Sequence, residues 1–273
     1  MTFESQLDLL EWYYDAVPRR SARAEDFGPL TLFVREGEGW PFYARPTRST
    51  AASVTAADVD RVRARQRELG IGESFEWVDD TTPGLRAAIE ASGLPVHVHP
   101  LMVLDLSAPV AELPALPDGV SVRILGPDDP ALVSAAVVGH LAFADGGTQI
   151  GTAGLAELAV AAAAGTGRGE QAAARINAGL GVYAAAVDAD GNALCSGQHQ
   201  PIGAVTEIVG IGTLPSARRQ GLGIAVTAAL VAEARARGVE TIFLSAGDED
   251  VARIYGRLGF RRVGTAMIAE PAS

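Results

Sequence analysis

The chain has 273 residues, more than one domain ordinarily holds, so two domains are expected. It is 48% hydrophobic and 20% charged, as ordinary globular proteins are, and no apolar run reaches the roughly 18 residues that a membrane span needs. The net charge is −11 and all 22 basic residues are arginine, so the average field opposes a nucleic-acid backbone and favours a cationic partner.

Residues 1–10 carry Glu4 and Asp8 and no positive charge, which argues against a secretory leader. The single cysteine, Cys195, excludes an internal disulfide framework and fits a reducing cytoplasm, where the protein is expected to reside. Trp12, Tyr13, Tyr14, Trp40 and Tyr43 read as the core of a small lobe, with a ligand pocket as the alternative. Residues 56–70 form a helix that ends in Gly70, and residues 74–96 read strand, helix, Gly93, strand. His97 and His99 alternate on that last strand. With no third ligand beside them they read as structural, and no metal is expected.

Residues 107–119, SAPVAELPALPDG, carry three prolines and no amphipathic period, the composition of an extended linker. Beyond it come a strand at 120–124, a helix opened by Asp128-Asp129-Pro130 that runs to about 144, and a glycine-rich loop at 145–154. A helical stretch at 155–178, with a break expected at 165–169, leads to strands at 181–187, 193–200 and 205–213. Residues 221–238 are an amphipathic helix, 241–245 a buried strand, 248–258 a helix closed by Gly259, and 260–269 a final strand or hairpin. The order predicts an α/β chain with a mixed sheet and helices on both faces.

The N-terminal half contains a weak repeat of the C-terminal half. Setting Gly93 against Gly259 aligns Trp77 with Phe243, Val78 with Leu244, Leu94 with Phe260, and Ile89 with Tyr255. Divergent duplication is the preferred reading, against the alternative that any strand–helix unit punctuated by glycine looks alike.

The strongest chemical signal is TLPSARRQGLGIA at residues 213–225, between a strand and a helix. Pro215 ends the strand because it cannot donate to the ladder. Arg218, Gly221 and Gly223 then make R-x-x-G-x-G at a helix start, where unpaired amides and the positive end of the dipole suit a pyrophosphate. The glycines permit close backbone approach, and the arginines are expected to add charge at the rim. Neither G-x-G-x-x-G nor G-x-x-x-x-G-K-[ST] occurs, so dinucleotide and nucleotide-hydrolase loops are not indicated.

This segment resembles motif A of the GNAT superfamily of acetyl-CoA-dependent N-acetyltransferases. DEDVARIYGRLGF, at residues 248–260, resembles the same family's motif B, and both stand in the family's order and spacing. The resemblance covers residues 119–273. It implies a GNAT fold there, preceded by a linker at 107–118 and a degenerate GNAT-like lobe at 1–106 that would pack and wall the acceptor cleft, as in tandem GNAT proteins with one inactive half.

The resemblance implies that the backbone at Ile211 and Thr213 pairs with pantetheine, and that Arg218, Arg219, Gln220, Gly221, Leu222, Gly223 and Ile224 take the pyrophosphate. Asp248 stands where the family often has a cofactor-contacting Asn, and an ionised Asp cannot donate. Tyr255 matches the general acid that protonates the departing thiolate, and it would also line the cofactor site. Glu207 sits where many members place a base, with Val209, Ile211 and Thr213 on its face by period two. His199 on the preceding strand is the rival base or a substrate contact, and Cys195 reads as core.

The expected function is acetyl transfer from acetyl-CoA to the primary amine of a small cationic molecule, by direct attack in a ternary complex, with neither nucleic acid nor membrane as partner. A non-catalytic acyl-CoA-binding module, or another acyl-CoA reaction on the same fold, stays open, as does a homodimer.

Overall fold

The computed structural model describes residues 4–37, 41–48, 53–108 and 112–271. The chain opens with α1 (Gln6–Ala16), β1 (Ala22–Asp26), β2 (Leu30–Arg35), β3 (Ala44–Pro46), α2 (Ala56–Glu68), β4 (Phe75–Val78), α3 (Leu85–Ala91) and β5 (Val96–Leu104). It continues through β6 (Ser121–Leu125), α4 (Leu132–Ala144), α5 (Leu155–Ala164), α6 (Thr166–Asn177), β7 (Val182–Val187), β8 (Ala193–Ile202) and β9 (Val205–Thr213). It closes with α7 (Leu222–Ala236), β10 (Thr241–Ser245), α8 (Glu249–Gly256) and β11 (Phe260–Ala269). No described helix is long and apolar enough to cross a membrane.

Two compact units result. The first holds residues 1–102, 245–253 and 261–273, and the second holds 103–244 and 254–260.

In the first unit the strands run β1-β2-β3-β4-β11-β5. The β1, β2 and β3 pairings are antiparallel, β3 meets β4 in parallel at Ala44 and Phe75, and β11 lies antiparallel to β4 with Ala269 opposite Phe75. β11 follows the C-terminal half in sequence but completes this sheet. Met267 and Ala269 enter a core with Leu30, Leu32, Phe75, Trp77, Val59 and Ile89, so the side chain aligned with Tyr255 is ordinary packing. Thr55 starts α2 with a reciprocal cap, its side chain accepting from the Asp58 amide while Asp58 accepts from the Thr55 amide. The strand–helix–strand pattern of β4, α3 and β5 matches β10, α8 and β11 in order. The glycines between them are both left-handed, Gly93 at φ +85° and Gly259 at φ +92°.

On the other side of β4 the first unit buries charge. Arg45, 1% exposed, pairs with Glu11 and lies 5.6 Å over the Tyr14 ring. Thr81 donates to the same Glu11 carboxylate at 2.6 Å, and the Tyr43 hydroxyl donates to the Tyr14 carbonyl at 3.3 Å. Tyr13 and Tyr14 are buried, as expected of core residues, Trp12 and Tyr43 are half-buried, and Trp40 lies outside the described residues. The His99 ring lies 3.1 Å from the Ala246 carbonyl, His97 is exposed, and no cluster that could hold a metal exists among the described residues.

In the second unit the strands run β10-β9-β8-β7-β6, antiparallel except for the parallel β9/β10 pair. α4 and α6 cover one face of this sheet, over a core that includes Leu132, Ala135, Ala172, Ala185 and Val187. Gly169 permits that approach, because a Cβ there would fall 2.6 Å from Val133 Cγ2. The helical stretch breaks at Gly165, dividing it into α5 and α6. α4 begins at Leu132 rather than at Asp128, because the Asp129 carboxylate is held by Arg123 and the Ala131 amide and supplies no cap. α7 packs through Leu222, Ala225, Val226, Leu230 and Ala234, the spacing of a single helical face.

Candidate active site

Three strands and one loop build the site, and a bulge sets its geometry. Ser196 pairs with Gly212 and Gln198 with Val209, two residues apart on β8 but three apart on β9. The extra residue falls at Gly210–Ile211, where Gly210 takes φ +67°, as a bulge requires. Gly197 opposite has no room for a side chain, since a Cβ would lie 2.1 Å from Ile211 Cδ1.

This bulge corrects the expected face of β9. Thr206 bonds His199, which reaches Glu233 on α7, so Thr206 faces α7 and Glu207 faces away from it. Past the bulge the phase has shifted. Ile211 and Thr213 lie 3.7 Å from where a Gly223 Cβ would be, on the α7 side, while Gly212 approaches Gly139 and Ala142 of α4. Glu207 therefore shares its face with Val209 and Gly212 and not with Ile211 and Thr213. Gln200 stands opposite Glu207 on the same face, and Gln198 opposite Val209; no motif or spacing singles out either glutamine.

β9 and β10 pair at only three positions, ending at Glu207 and Phe243. The six residues of β9 from Ile208 to Thr213 run on without a β10 partner. Such an edge offers backbone donors and acceptors to an extended ligand. It leads into a short turn at Pro215–Ala217 and then to Gly221, the left-handed N-cap of α7. That cap has no side-chain hydrogen bond, and the first amide bonded within the helix is Ala225, to Gly221 O at 3.1 Å. Leu222, Gly223 and Ile224 thus hold the amides a helix start leaves for an anion. Arg219 also adopts positive φ, +67°, two residues before Gly221; such switches of hand form anion-binding concavities. Arg219 and Gln220 are exposed at the rim.

Arg218 is placed otherwise than expected. Its guanidinium is buried, donating to Ala142 O at 2.7 Å, Gln149 O at 3.0 Å and Asp145 O. Rim charge comes from Arg219, while the Arg218 guanidinium is turned to these carbonyls and its amide donates to Pro215 O at 3.4 Å.

Tyr255, in the last turn of α8, lies beside Thr227, whose hydroxyl donates to Gly223 O at 2.8 Å. The phenol is thus one helical turn from the loop amides. Burial first, then proximity to Cys195, pushes its pKa above the ordinary 10, so it stays protonated across neutral pH. Cys195 is fully buried and its thiol is pushed by burial up to about 12, with Thr213 donating to Sγ at 3.2 Å; it is core, as expected.

For His199, expected as a rival base or a substrate contact, burial and two side-chain partners support a bracing role. It is fully buried, with Nδ1 2.9 Å from Thr206 Oγ1 and Nε2 2.6 Å from Glu233 Oε2. A carboxylate only accepts, so Nε2 donates and Nδ1 accepts from Thr206. Burial lowers the ring's pKa against the raising effect of Glu233, which keeps the ring neutral. His199→Asn is expected to cost roughly 1–3 kcal/mol of stability while leaving the acid limb of kcat/KM against pH in place. A displaced limb would return His199 to the chemistry. The stability that His199 contributes should fade as pH falls through 6.5, where the unfolded chain takes the proton first. Asp248 is the N-cap of α8, accepting from the Val251 amide at 2.8 Å, so its carboxylate serves the helix.

Residues 180–268 match the profile of the FR47-like protein family. No curated protein sequence matches the chain. Among solved structures, a GCN5-related N-acetyltransferase from Kribbella flavida is 22% identical, with a TM-score of 0.67 over 99% of this chain and 97% of that one. One from Sphaerobacter thermophilus is 17% identical, at 0.55 over 91% and 84%. A tandem GNAT protein from the clavulanic acid biosynthesis pathway is 18% identical, at 0.54 over 89% and 79%. The chain therefore has the fold of the GCN5-related N-acetyltransferases, and its FR47-like segment contains the bulged strand, the loop and Tyr255.

Proposed function

We propose that the second unit moves an acetyl group from acetyl-CoA to the primary amine of a small cationic acceptor, in the cytoplasm and without a metal. The observation that carries this reading is the junction of an unpaired β9 edge with the uncapped start of α7, close to the half-buried phenol of Tyr255. Amides from Arg219 to Ile224 would hold the pyrophosphate of the cofactor, and the backbone of Ile211 and Thr213 its pantetheine arm. When bound, acetyl-CoA supplies an acyl thioester.

The chain's own groups account for the proton transfers. Tyr255, protonated at neutral pH, donates to the departing sulfur. Glu207, on the opposite face of β9 at the last β10-paired position, takes the ammonium proton through water, so acceptor and cofactor approach the strand from different sides. The bulge at Gly210 turns β9 amides toward the reacting carbonyl, where fixed donors stabilise developing charge. The first unit's R-x-x-G-x-G match, Arg67–Gly72, closes α2 instead of opening a helix, and a buried Ile89 stands in place of the acid, so the unit is read as a degenerate lobe that leaves one acetyl-CoA site per chain.

A thiol-release assay over a panel of amines, with calorimetry of coenzyme A, tests the reading. Expected are one site per chain and turnover with at least one cationic amine. Glu207→Gln should lower kcat about a hundredfold at neutral pH, as loss of a general base does. Tight binding with no turnover for any acceptor would instead indicate a binding module.

A further inference from the structure

The Arg218 side chain lies at the seam between two loops. Its three acceptors belong to the last turn of α4 and the segment that follows: Ala142 O at 2.7 Å, Asp145 O, and Gln149 O at 3.0 Å. The Asp145 carboxylate stands 3.8 Å from the same guanidinium. The C-terminal turn of a helix leaves carbonyls unpaired and carries the negative end of the dipole, so a buried guanidinium there satisfies both needs.

Backbone pairing runs along the same seam. The Gly151 amide donates to Pro215 O at 3.0 Å and the Ser216 amide to Ala153 O at 3.0 Å. The approach leaves no room for a side chain at Gly151 and little at Gly154. A Cβ at Gly151 would fall 1.8 Å from Asp145 Oδ2 and 2.8 Å from Pro215 Cβ, and one at Gly154 would fall 3.3 Å from Ser216 Oγ. The 145–154 segment is therefore fastened to residues 215–218, which lead directly into the amides at the start of α7.

We infer that Arg218 is a positioning residue, whose side chain sets the 145–154 loop as one wall of the acceptor site and couples its order to anion binding at the neighbouring amides. This rests on the function proposed above. An anion that fixes residues 219–224 fixes Arg218 by chain continuity, and through it the three carbonyls. The acceptor then meets an ordered loop only when the anion is in place.

The test combines hydrogen exchange over residues 142–154, calorimetry with coenzyme A, and steady-state kinetics on wild type, Arg218→Gln, Arg218→Lys and Gly151→Ala. In the wild type, coenzyme A should slow exchange of the loop. Arg218→Gln should speed it about tenfold or more and abolish the response to coenzyme A, the size expected for lost charge-assisted hydrogen bonds. Coenzyme A affinity should change less than about threefold, because the anion is held by backbone. The acceptor KM should rise about tenfold with a smaller change in kcat, the mark of lost ground-state positioning. Arg218→Lys should restore part of the protection, and Gly151→Ala, which leaves the R-x-x-G-x-G segment intact, should reproduce the loop exposure and the KM rise.

Arg218→Gln that weakened coenzyme A more than tenfold while loop exchange stayed as in the wild type would overturn the inference and make the side chain a phosphate ligand. So would Gly151→Ala with unchanged exchange and KM. Exchange is also read without ligand, so a chain that bound no coenzyme A would sink the proposed function and still decide the role of Arg218.

Discussion

Tyr255→Phe is expected to lower kcat about a hundredfold or more while leaving acetyl-CoA binding nearly unchanged, the range seen when a general acid is removed. The hydroxyl lies beside Thr227, one turn along α7 from Gly223, so its loss is expected to delete a proton donor. The ring itself stays packed 6.0 Å from Phe260, edge to face. The sign of the pH dependence follows from burial. A phenol held above its ordinary pKa loses its proton only as pH rises beyond 10, so the wild type should show no alkaline decline from this group in the neutral range. Single-turnover thiol release in both proteins is the measurement. Full activity in Tyr255→Phe would remove the acid role and leave the cofactor site standing.

The second large effect is on stability. Arg45→Ala is expected to cost about 3–5 kcal/mol, because it removes a buried guanidinium from over Tyr14 and leaves its partner, the half-buried Glu11 carboxylate, with the Thr81 hydroxyl. Arg45→Met with Glu11→Leu should recover most of that loss, since an apolar pair of similar size carries no stranded charge. Glu76 adds a pH signature. Burial pushes its carboxyl up to about 7, with Arg45 pulling it down and Glu270 pushing it further up. A carboxyl whose folded pKa exceeds its unfolded 4.5 stabilises fully below that value and loses the contribution as pH rises through about 7. Without the guanidinium, Glu76 keeps its proton to higher pH, so Arg45→Ala should be further below wild type at pH 8 than at pH 5. Denaturant melts at both values check this, and equal deficits would argue against the coupling.

Both effects come from side chains that a linear reading weighs differently. Tyr255 was legible because R-x-x-G-x-G and the tyrosine before Leu-Gly-Phe carry their chemistry in local spacing; a helix start and a glycine hand are set within a few residues. Arg45 gave no signal, because its partner Glu11 is 34 positions away in sequence.

The sequence alone determined the element order, the strand–loop–helix that offers free amides, the phenol on α8, and the repeat that pairs Gly93 with Gly259. Each depends on contacts within one or two turns, where propensity and periodicity act directly. Tertiary structure alone decided four other matters. One residue inserted in β9 at Gly210–Ile211 moved Glu207 to the opposite face from Ile211 and Thr213. Burial between β8 and α7 made His199 a brace. The carbonyls at the end of α4 drew Arg218 inward, and pairing with β4 placed β11 in the first unit. A bulge, a buried hydrogen bond and a strand partner are each fixed by what lies opposite in space, and spacing along the chain does not encode that.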